Sequence, residues 1–455
     1  MLTYKAPVDE VVFLLRDVLK VDNDLIEPVL AEAAKLCEEE VAPTNQSGDK
    51  TGCSLIKKGP GAEYNQVMPP MAFREPYKKF TEGGWIGTSL PERYGGQGMP
   101  FYMGTVVNEF VCSANMAFSL YPGLTRGAVQ VLLEVGSDAC KDYFAKRMIS
   151  GEWSGTMNLT EPHCGTDLGQ LKTKAVNKGN GTYEITGQKI FISAGEHDLS
   201  SNIVHLVLAR VEGAPAGTKG ISLFVVPKVL AEGGRNKLEA GVIEEKMGIH
   251  GCSTCQMFYD GATGYLLGEE GKGLNYMFIM MNEMRLACAV QGLSQSELAY
   301  QNALKYAKER IQGVALSNPK GGTVAIIDHP DVRRMLLDIK SVVIPSRLLA
   351  LEASLLVDDK SQAAQDKLGL LTPILKAMLT DYAVEHALKA QQVLGGHGYV
   401  RDWGMEQIVR DARITQIYEG TNGVQALDLV VRKLPKDMGR AIKTLFDETK
   451  EYLDE

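Results

Sequence analysis

The chain has 455 residues, of which 45% are hydrophobic and 23% are charged, and its formal net charge is −8. This length allows two or three domains with a large core, and the acidic balance argues against a nucleic-acid surface, which would usually be basic. No apolar run reaches the roughly 18 residues of a membrane-spanning helix. The amino terminus lacks a signal-peptide pattern, and the eight cysteines are scattered as in a reducing compartment. We therefore expect a cytoplasmic protein that binds neither nucleic acid nor a membrane.

The spacing of apolar and turn residues divides the chain into three consecutive regions. Residues 1–152 have helical spacing of apolar residues, with a glycine- and proline-rich interruption at 41–70. Residues 153–267 carry short β-type runs between turn residues. Residues 268–455 return to long helical patterns, which are typical of a helical bundle. The sequence thus predicts an α-helical domain, a small β domain and a second helical domain, at these boundaries.

The predicted elements in the second and third regions are the clearest. The β runs include YEIT, KIFIS and NIVHLVLARV, and the dipeptides Thr186-Gly187 and Asp260-Gly261 are expected to separate strands. Three long helices are predicted over 274–311, 328–357 and 364–393. No strand leads into a GxGxxG motif and no GxxxxGK[ST] motif is present, so a nucleotide cofactor would have to bind by other means.

Two glycine-containing loops are candidate binding sites. Residues 155–175, GTMNLTEPHCGTDLGQLKTKA, combine hydroxyls and glycines, which let backbone N–H groups approach an anion or a polar ring. A β-turn rich in capping residues explains the same composition equally well. Residues 391–399, QQVLGGHGY, hold three glycines. A helix C-cap explains one of them, and a close approach of the backbone to a ligand or a neighbouring subunit would explain the others.

Two further patterns have ordinary explanations. His250, Cys252 and Cys255 lie in HGCSTC, but no second half completes a tetrahedral zinc site. We interpret these cysteines as thiols in a turn and predict no metal site. Arg285 is a single arginine within a predicted helix. It is a candidate functional residue only if it faces a functional carboxylate.

The segment 416–426, QIYEGTNGVQA, places a single acid, Glu419, in a break between two helical patterns. An acid near a helix start stabilises the helix dipole, which is one explanation. The alternative is that the break exposes a base to a ligand.

Together, these stretches resemble the signatures of the acyl-CoA dehydrogenase family. The resemblance is based on the motifs NLTEPHCGTD, GQKIFISAGEHD, YAKERIQG, LGGHGY and RDARITQIYEGTN. The similarity covers nearly the whole chain. The resemblance implies an α+β multidomain fold with an N-terminal α-helical domain, a central β-barrel-like domain and a C-terminal four-helix bundle. It also implies FAD-dependent α,β-desaturation of an acyl-CoA, electron transfer to an electron-transferring flavoprotein, and a homodimer or tetramer.

Finer features are similar to one branch of the family, the 3-methylmercaptopropionyl-CoA dehydrogenases. They include GGWIGTSLPERYGGQGMP and EKMGIHGCSTC. The branch implies a short or thioether-containing acyl chain. Its members usually carry a further carboxy-terminal helical domain, so we interpret this chain as a shortened member.

The resemblance also implies the roles of individual residues. Glu419 would be the catalytic base, and Arg285 would shape its electrostatics. Some relatives place a carboxylate directly before that arginine, where this chain has Met284, with Glu283 one residue further away. The substrate-binding residues would be Thr166, Arg285, Tyr418 and Gly420. The residues that would bind FAD are Met157, Leu159, Thr160, Gly165, Thr166, Phe191, Ile192, Ser193, Arg310, Gln392, Gly395, Gly396 and Thr421.

Two rival functions remain open at this point. An acyl-CoA oxidase would pass the electrons to dioxygen instead of a flavoprotein. A non-catalytic relative would bind FAD and DNA, although the acidic net charge of the chain speaks against DNA binding.

Overall fold

A computed structural model describes residues 2–59 and 63–454 of the chain. Its α-helices are α1 Val8–Phe13, α2 Ile26–Leu36, α3 Thr44–Thr51, α4 Arg74–Glu82, α5 Phe101–Ala114, α6 Met116–Val135, α7 Asp138–Cys140, α8 Lys146–Ile149, α9 Gly273–Glu309, α10 Pro330–Asp358, α11 Gln362–Val393, α12 Gly396–Tyr399, α13 Met405–Arg413, α14 Asn422–Leu427 and α15 Arg440–Asp454. Its strands are β1 Ser54–Ile56, β2 Gln66–Met68, β3 Trp153–Asn158, β4 Lys174–Asn177, β5 Tyr183–Ser193, β6 Asn202–Val211, β7 Ile221–Pro227, β8 Leu238–Ile243, β9 Thr254–Leu266, β10 Ile311–Val314 and β11 Thr323–Ala325.

Seven strands, β3 to β9, form one sheet that closes on itself. The strand order is β3-β6-β4-β5-β9-β7, with β8 paired to β9, and β6 also pairs with β7. The ring β6-β4-β5-β9-β7-β6 is therefore continuous, as in a barrel, and β3 and β8 pair with it along β6 and β9. Buried apolar side chains fill its interior, among them Ile185, Val207, Phe224 and Met257.

The two predicted strand breaks are wrong. YEIT and KIFIS belong to the single strand β5, and MFYD lies inside β9. The pairing of these two strands shifts register between Ile185 and Thr186, and again between Lys189 and Ile192. A β-bulge can absorb an extra residue without ending a strand. The turn-type dipeptides therefore mark irregularities within long strands.

The three long carboxy-terminal helices are present as α9, α10 and α11, and α9 is uninterrupted over Gly273–Glu309. Pro345 lies inside α10 and Pro373 inside α11. The predicted interruption at 41–70 contains helix α3 and the antiparallel pair β1–β2 in its described part. Residues 60–62 lie outside the described residues.

The chain forms two compact units, each built from separated stretches. The first comprises residues 1–46, 100–116 and 285–455, and the second comprises 47–99 and 117–284. The first is helical apart from the short pair β10–β11, and the second contains the closed sheet. Among the described residues, we find no helix with the length and apolar character required to cross a lipid bilayer.

Candidate active site

Glu419 lies in the predicted break between two helices of the first unit. Helix α13 continues into a 3-10 turn, Ile414–Gln416, and α14 begins at Asn422. Thr421 caps α14, since its Oγ1 accepts a hydrogen bond from the Val424 N–H at 3.3 Å. Thr421 is thus the N-cap of α14, and Glu419 precedes it by two residues, outside the first helical turn where an acid interacts most strongly with the helix dipole.

The backbone of the loop is held in an unusual conformation. Glu419 has φ +57° and Gly420 has φ +84°, and the left-handed region is costly for residues with a side chain. The buried Gln425 donates from Nε2 to the carbonyl oxygens of both residues, each at 3.1 Å. A Cβ on Gly420 would lie 2.7 Å from that nitrogen. The loop is therefore fixed by a specific partner, as expected where a conformation serves a function.

The electrostatic surroundings of Glu419 suit a base that works near neutral pH. Burial raises the pKa of its carboxyl to about 7, against the opposing effect of the cations Arg285 and Lys376. A general base is most effective when its pKa lies near the working pH. Moreover, the N–H groups of Glu419 and Gly420 donate no hydrogen bond to another described residue, so they are free to meet a ligand.

Arg285 is buried beside this loop in helix α9. Its Nη1 donates to Asp428 Oδ2 at 3.1 Å, whereas its Nε has no hydrogen-bond partner in the described part of the chain. A buried polar atom without a partner is costly, and in a binding site it indicates that a ligand supplies the missing acceptor. Tyr418, the residue before Glu419, donates its hydroxyl hydrogen to Gln291 Oε1.

The competing base position is already engaged. Met284 is buried and has no ionisable group. Glu283 Oε1 lies 3.1 Å from Arg126 Nε in the second unit, and both side chains are largely buried. Burial raises the pKa of Glu283, and Arg126 opposes that rise. Because Glu283 neutralises a buried arginine, Glu419 is the better candidate.

Several predicted flavin contacts lie at the end of strand β3 and in the loop that follows it. Leu159 is buried and Thr160 is partly exposed, and the Thr160 hydroxyl has no hydrogen-bond partner among residues 2–59 and 63–454. Met157 is partly buried, and Gly165 and Thr166 are exposed in the turn that follows. An unpaired hydroxyl on a rigid loop fits the edge of a polar ring.

This loop is anchored by a buried ion pair that sequence analysis did not identify. Lys189 is fully buried and donates from Nζ to the Leu159 carbonyl at 3.0 Å and to Glu161 Oε1 at 2.8 Å. Glu161 also accepts from the N–H groups of Lys172 and Thr173 at 2.6 and 3.0 Å. These bonds fix the backbone on both sides of Thr160.

The bulge in β5 presents an aromatic side chain. Phe191 has φ +59°, and its side chain is 61% exposed. The Ile190 N–H donates to the Thr160 carbonyl at 2.9 Å, so the bulge lies against the loop after β3. Ile192 is buried in the core of the sheet, which leaves only its backbone for a ligand, and Ser193 is partly exposed. An exposed aromatic ring on a strained backbone is suited to covering a planar cofactor.

The remaining predicted cofactor residues lie in the first unit. Arg310 follows α9, and its exposed guanidinium has no partner in the described chain. Gln392 and Thr421 are exposed as well. A Cβ on Gly395 or Gly396 would meet nothing within 4 Å, whereas one on Gly398 would lie 2.2 Å from the Gln391 carbonyl oxygen.

The three glycines of LGGHGY therefore have different explanations. Packing against Gln391 requires Gly398, and Gly395 follows α11 with φ +58° and ψ −136°, a conformation that essentially only glycine adopts. No contact with another described residue explains Gly396, so a close approach by a ligand or another subunit is its best explanation.

The HGCSTC segment has no sign of reactive thiols. Cys252 and Cys255 are buried, and burial raises the pKa of both thiols. His250 Nδ1 lies 2.8 Å from Asp49 Oδ1. Because a reactive cysteine needs a stabilised thiolate, these residues fit the interpretation as structural thiols.

Sequence analysis also missed a buried cation, Lys376, in helix α11. Its Nζ donates to Asn422 Oδ1 at 2.8 Å, and the residue is fully buried. The signal was available, because Lys376 lies at helical spacing from Leu379 and Ala383, both buried. A charged residue within an apolar stripe indicates a specific buried partner.

Comparisons with known proteins agree with this geometry. Three family models match the chain in order: the acyl-CoA dehydrogenase N-terminal domain over residues 26–152, the middle domain over 156–262 and the C-terminal domain over 271–434. The chain is 43% identical to a 3-methylmercaptopropionyl-CoA dehydrogenase of Ruegeria pomeroyi, covering 97% of this chain and 78% of that protein. It is 35% identical to a butyryl-CoA dehydrogenase of Syntrophomonas wolfei, covering 94% and 73%.

Among solved structures, a chain described with the electron transferring flavoprotein of Acidaminococcus fermentans superposes with a TM-score of 0.77. It is 27% identical and covers 92% of this chain and 99% of its own length. The predicted fold class is thereby confirmed. The chain belongs to the acyl-CoA dehydrogenase family, and it is an FAD-dependent oxidoreductase that acts on CH–CH groups.

Proposed function

We propose that this enzyme desaturates short or thioether-containing acyl-CoA thioesters of the 3-methylmercaptopropionyl-CoA type between Cα and Cβ. The observation that carries the reaction type is Glu419, a carboxyl in a fixed loop whose pKa is raised to about 7. The relative from Ruegeria pomeroyi, 43% identical, supports the substrate class. The electrons would pass to an electron-transferring flavoprotein, which the family resemblance and the match to the Acidaminococcus fermentans structure support.

Each group at and around Glu419 has an expected role in the desaturation. The hydrogen on Cα of a thioester is weakly acidic, so its removal needs a placed base and donors on the thioester oxygen. Glu419 would take this proton. Its own backbone N–H, which has no partner among the described residues, would donate to the thioester carbonyl. Arg285 would favour the ionised form of Glu419.

The described residues fit FAD. Bound FAD supplies the hydride acceptor for Cβ. The Thr160 hydroxyl and the exposed Phe191 ring would hold and cover the isoalloxazine, while Gly165 and Thr166 would lie near its phosphates. We further propose that Arg310, Gln392, Gly395 and Gly396 hold the ADP half in a homodimer, where each subunit completes the site of its partner.

Replacement of Arg310 tests this assignment. Arg310→Ala should lower the fraction of FAD retained after gel filtration, because an exposed guanidinium is suited to phosphate. Lys305→Ala, which removes an exposed cation from helix α9, is the matched control and should retain FAD. The measurement is the ratio of flavin to protein absorbance, read beside the mass from light scattering. A colourless monomer that binds no added FAD would contradict the assignment and the dimer together.

An anaerobic screen of acyl-CoAs tests the substrate and the acceptor. We expect 3-methylmercaptopropionyl-CoA to bleach the flavin with the highest kcat/KM and butyryl-CoA to follow. Pentanoyl-CoA, in which a methylene replaces the sulfur, is the matched comparison, and it should differ by no more than ~1–3 kcal/mol in an apolar pocket. A clear preference for palmitoyl-CoA would refute the substrate class. Rapid reoxidation by dioxygen with stoichiometric peroxide would instead identify an oxidase.

A further inference from the structure

Lys376 ties the loop that carries Glu419 to helix α11. Its Nζ donates to Asn422 Oδ1 at 2.8 Å, and Asn422 is the first residue of α14, three positions after Glu419. Asn422 Nδ2 in turn donates to Asp381 Oδ1 at 2.7 Å and to Thr380 Oγ1 at 3.0 Å. One asparagine therefore connects the base loop to three side chains of α11.

The charge of Lys376 is not neutralised by an ion pair. The residue is fully buried, and its hydrogen-bond acceptor is a neutral amide. No ion pair to a carboxylate is formed by Lys376 in the described ranges. A buried ammonium is costly unless something in its surroundings favours it. Burial lowers the pKa of Lys376, and Cys288, Glu419 and Asp381 oppose that effect.

Several other ionisable groups lie around Glu419, and Tyr418 directly precedes it in the loop. Helix α9 contributes Arg285 and the thiol of Cys288, and helix α11 contributes Lys376 and Asp381. Asp428, on the π-helical turn after α14, pairs with Arg285 at 3.1 Å and with Arg432 at 3.6 Å. Of the two cations, Arg285 has the larger effect on the pKa of Glu419 and forms an ion pair with Asp428, whereas Lys376 forms no ion pair among the described residues.

We propose that Lys376 is a positioning residue for the desaturation, which fixes the Glu419 loop through Asn422 and places a buried positive charge beside that loop. This inference rests on the proposed role of Glu419 as the base. It separates two effects of one side chain. The hydrogen bond sets where the carboxylate lies, and the charge sets the pH at which the carboxylate is available.

Three variants separate these effects. Lys376→Gln keeps a hydrogen-bond donor toward Asn422 and removes the charge, and Lys376→Met removes both within a similar volume. Asn422→Ala removes the hydrogen-bond acceptor and keeps the charge. Lys389→Gln, which alters a lysine of the same helix that pairs with Glu385 at 2.7 Å, is the matched control.

The primary measurement is the anaerobic rate constant of flavin reduction by butyryl-CoA from pH 5.5 to 9.5. Loss of the charge should shift the midpoint upward by about 1 pH unit, as for removal of a nearby opposite charge. The rate constant would then fall about fivefold at pH 7 and recover above pH 9. Asn422→Ala should instead lower the plateau and leave the midpoint in place. Unchanged midpoints in both Lys376 variants, whatever their melting temperatures, would overturn the proposal.

An infrared titration separates this inference from the proposed function. The carboxylic acid band that disappears in Glu419→Gln reports the protonation of Glu419 without any turnover. Its midpoint should move upward in Lys376→Gln and stay in place in Lys389→Gln. If flavin reduction survives in Glu419→Gln while the infrared midpoint still moves with Lys376, the base assignment fails but the electrostatic inference stands. If the midpoint does not move, the inference fails even if Glu419 is the base.

Discussion

The Glu419→Gln variant should reduce its flavin with an acyl-CoA at least ~10²–10⁴ times more slowly than the unmodified enzyme, because loss of a general base typically has this effect. Glutamine keeps the size and hydrogen-bonding capacity of the side chain but cannot accept the proton from Cα. FAD content and acyl-CoA binding should therefore be preserved. The measurement is the anaerobic half-reaction in a stopped-flow spectrophotometer, with saturating 3-methylmercaptopropionyl-CoA.

The pH dependence of the unmodified enzyme provides an independent check. Because burial raises the pKa of Glu419 to about 7, the carboxyl is mostly protonated below that pH and mostly ionised above it. The rate constant of flavin reduction should rise with pH through about 7 and then level off. In Glu419→Gln the residual rate should lose this dependence.

The melting temperature of Glu419→Gln distinguishes a catalytic base from an acid that only stabilises a helix. A carboxyl whose pKa is raised on folding stabilises the protein below its unfolded pKa, and that contribution is lost as pH rises through the folded pKa. Glu419→Gln should therefore melt no lower than the unmodified enzyme at pH 8. An acid that only stabilised a helix start would predict a loss of ~0.3–1 kcal/mol and a normal rate.

Glu283→Gln is the matched control for the base assignment. It should keep flavin reduction within a few-fold while lowering the melting temperature, because it removes the negative charge that lies 3.1 Å from the largely buried Arg126 side chain. Near-normal reduction in Glu419→Gln, together with a steep loss in Glu283→Gln, would transfer the role of base to Glu283.

The second large effect is expected in the loop after strand β3, which carries the predicted flavin contact Thr160. Lys189→Met should destabilise the enzyme by ~3–5 kcal/mol, because removal of one partner leaves the Glu161 carboxylate buried and uncompensated. It should also weaken FAD retention, since Lys189 holds the Leu159 carbonyl beside Thr160. The measurements are urea unfolding followed by tryptophan fluorescence and the flavin content after gel filtration.

A surface ion pair in the same unit provides the control for Lys189. Lys178 lies 3.0 Å from Glu184, but both side chains are about half exposed, at 49% and 45%. Lys178→Met should cost no more than ~1 kcal/mol, as for exposed ion pairs. Equal effects of the two substitutions would show that the buried pair has no special role.

Low pH should weaken the ion pair between Lys189 and Glu161. The pKa of Glu161 is held below its usual value by Lys189 and by hydrogen bonds from Thr173 and Lys172, although burial opposes this. A lowered carboxyl pKa contributes stability above the unfolded pKa, near 4.5, and that stability is lost as pH falls through the folded pKa. FAD should therefore begin to dissociate only below about pH 4.5, and Glu161→Gln should abolish this acid step.

The sequence by itself determined the features that depend on local periodicity and on motifs. The long helices α9, α10 and α11 follow from apolar residues at helical spacing, and such spacing needs no knowledge of the partner surface. The break around Glu419 was readable because Gly420 interrupts that spacing, whereas Gly423, also expected in the break, lies inside α14. The family was readable because several motifs occur in the expected order along one chain.

Only the tertiary structure decided the features that depend on residues distant in the chain. Thr186-Gly187 and Asp260-Gly261 look like turns, but pairing between β5 and β9 absorbs the irregularity as bulges. Glu283 resembled a second base until Arg126 was found beside its carboxylate.

The two buried lysines show most clearly which features cannot be predicted from the sequence alone. A sequence reports that Lys189 and Lys376 are charged, yet not that one lies against a carboxylate and the other against an amide. Burial and the identity of the partner set the protonation state of such a group, and both are properties of the folded chain. A motif was therefore sufficient to propose Glu419 as the base, whereas the buried charges proposed to act on it were visible only in three dimensions.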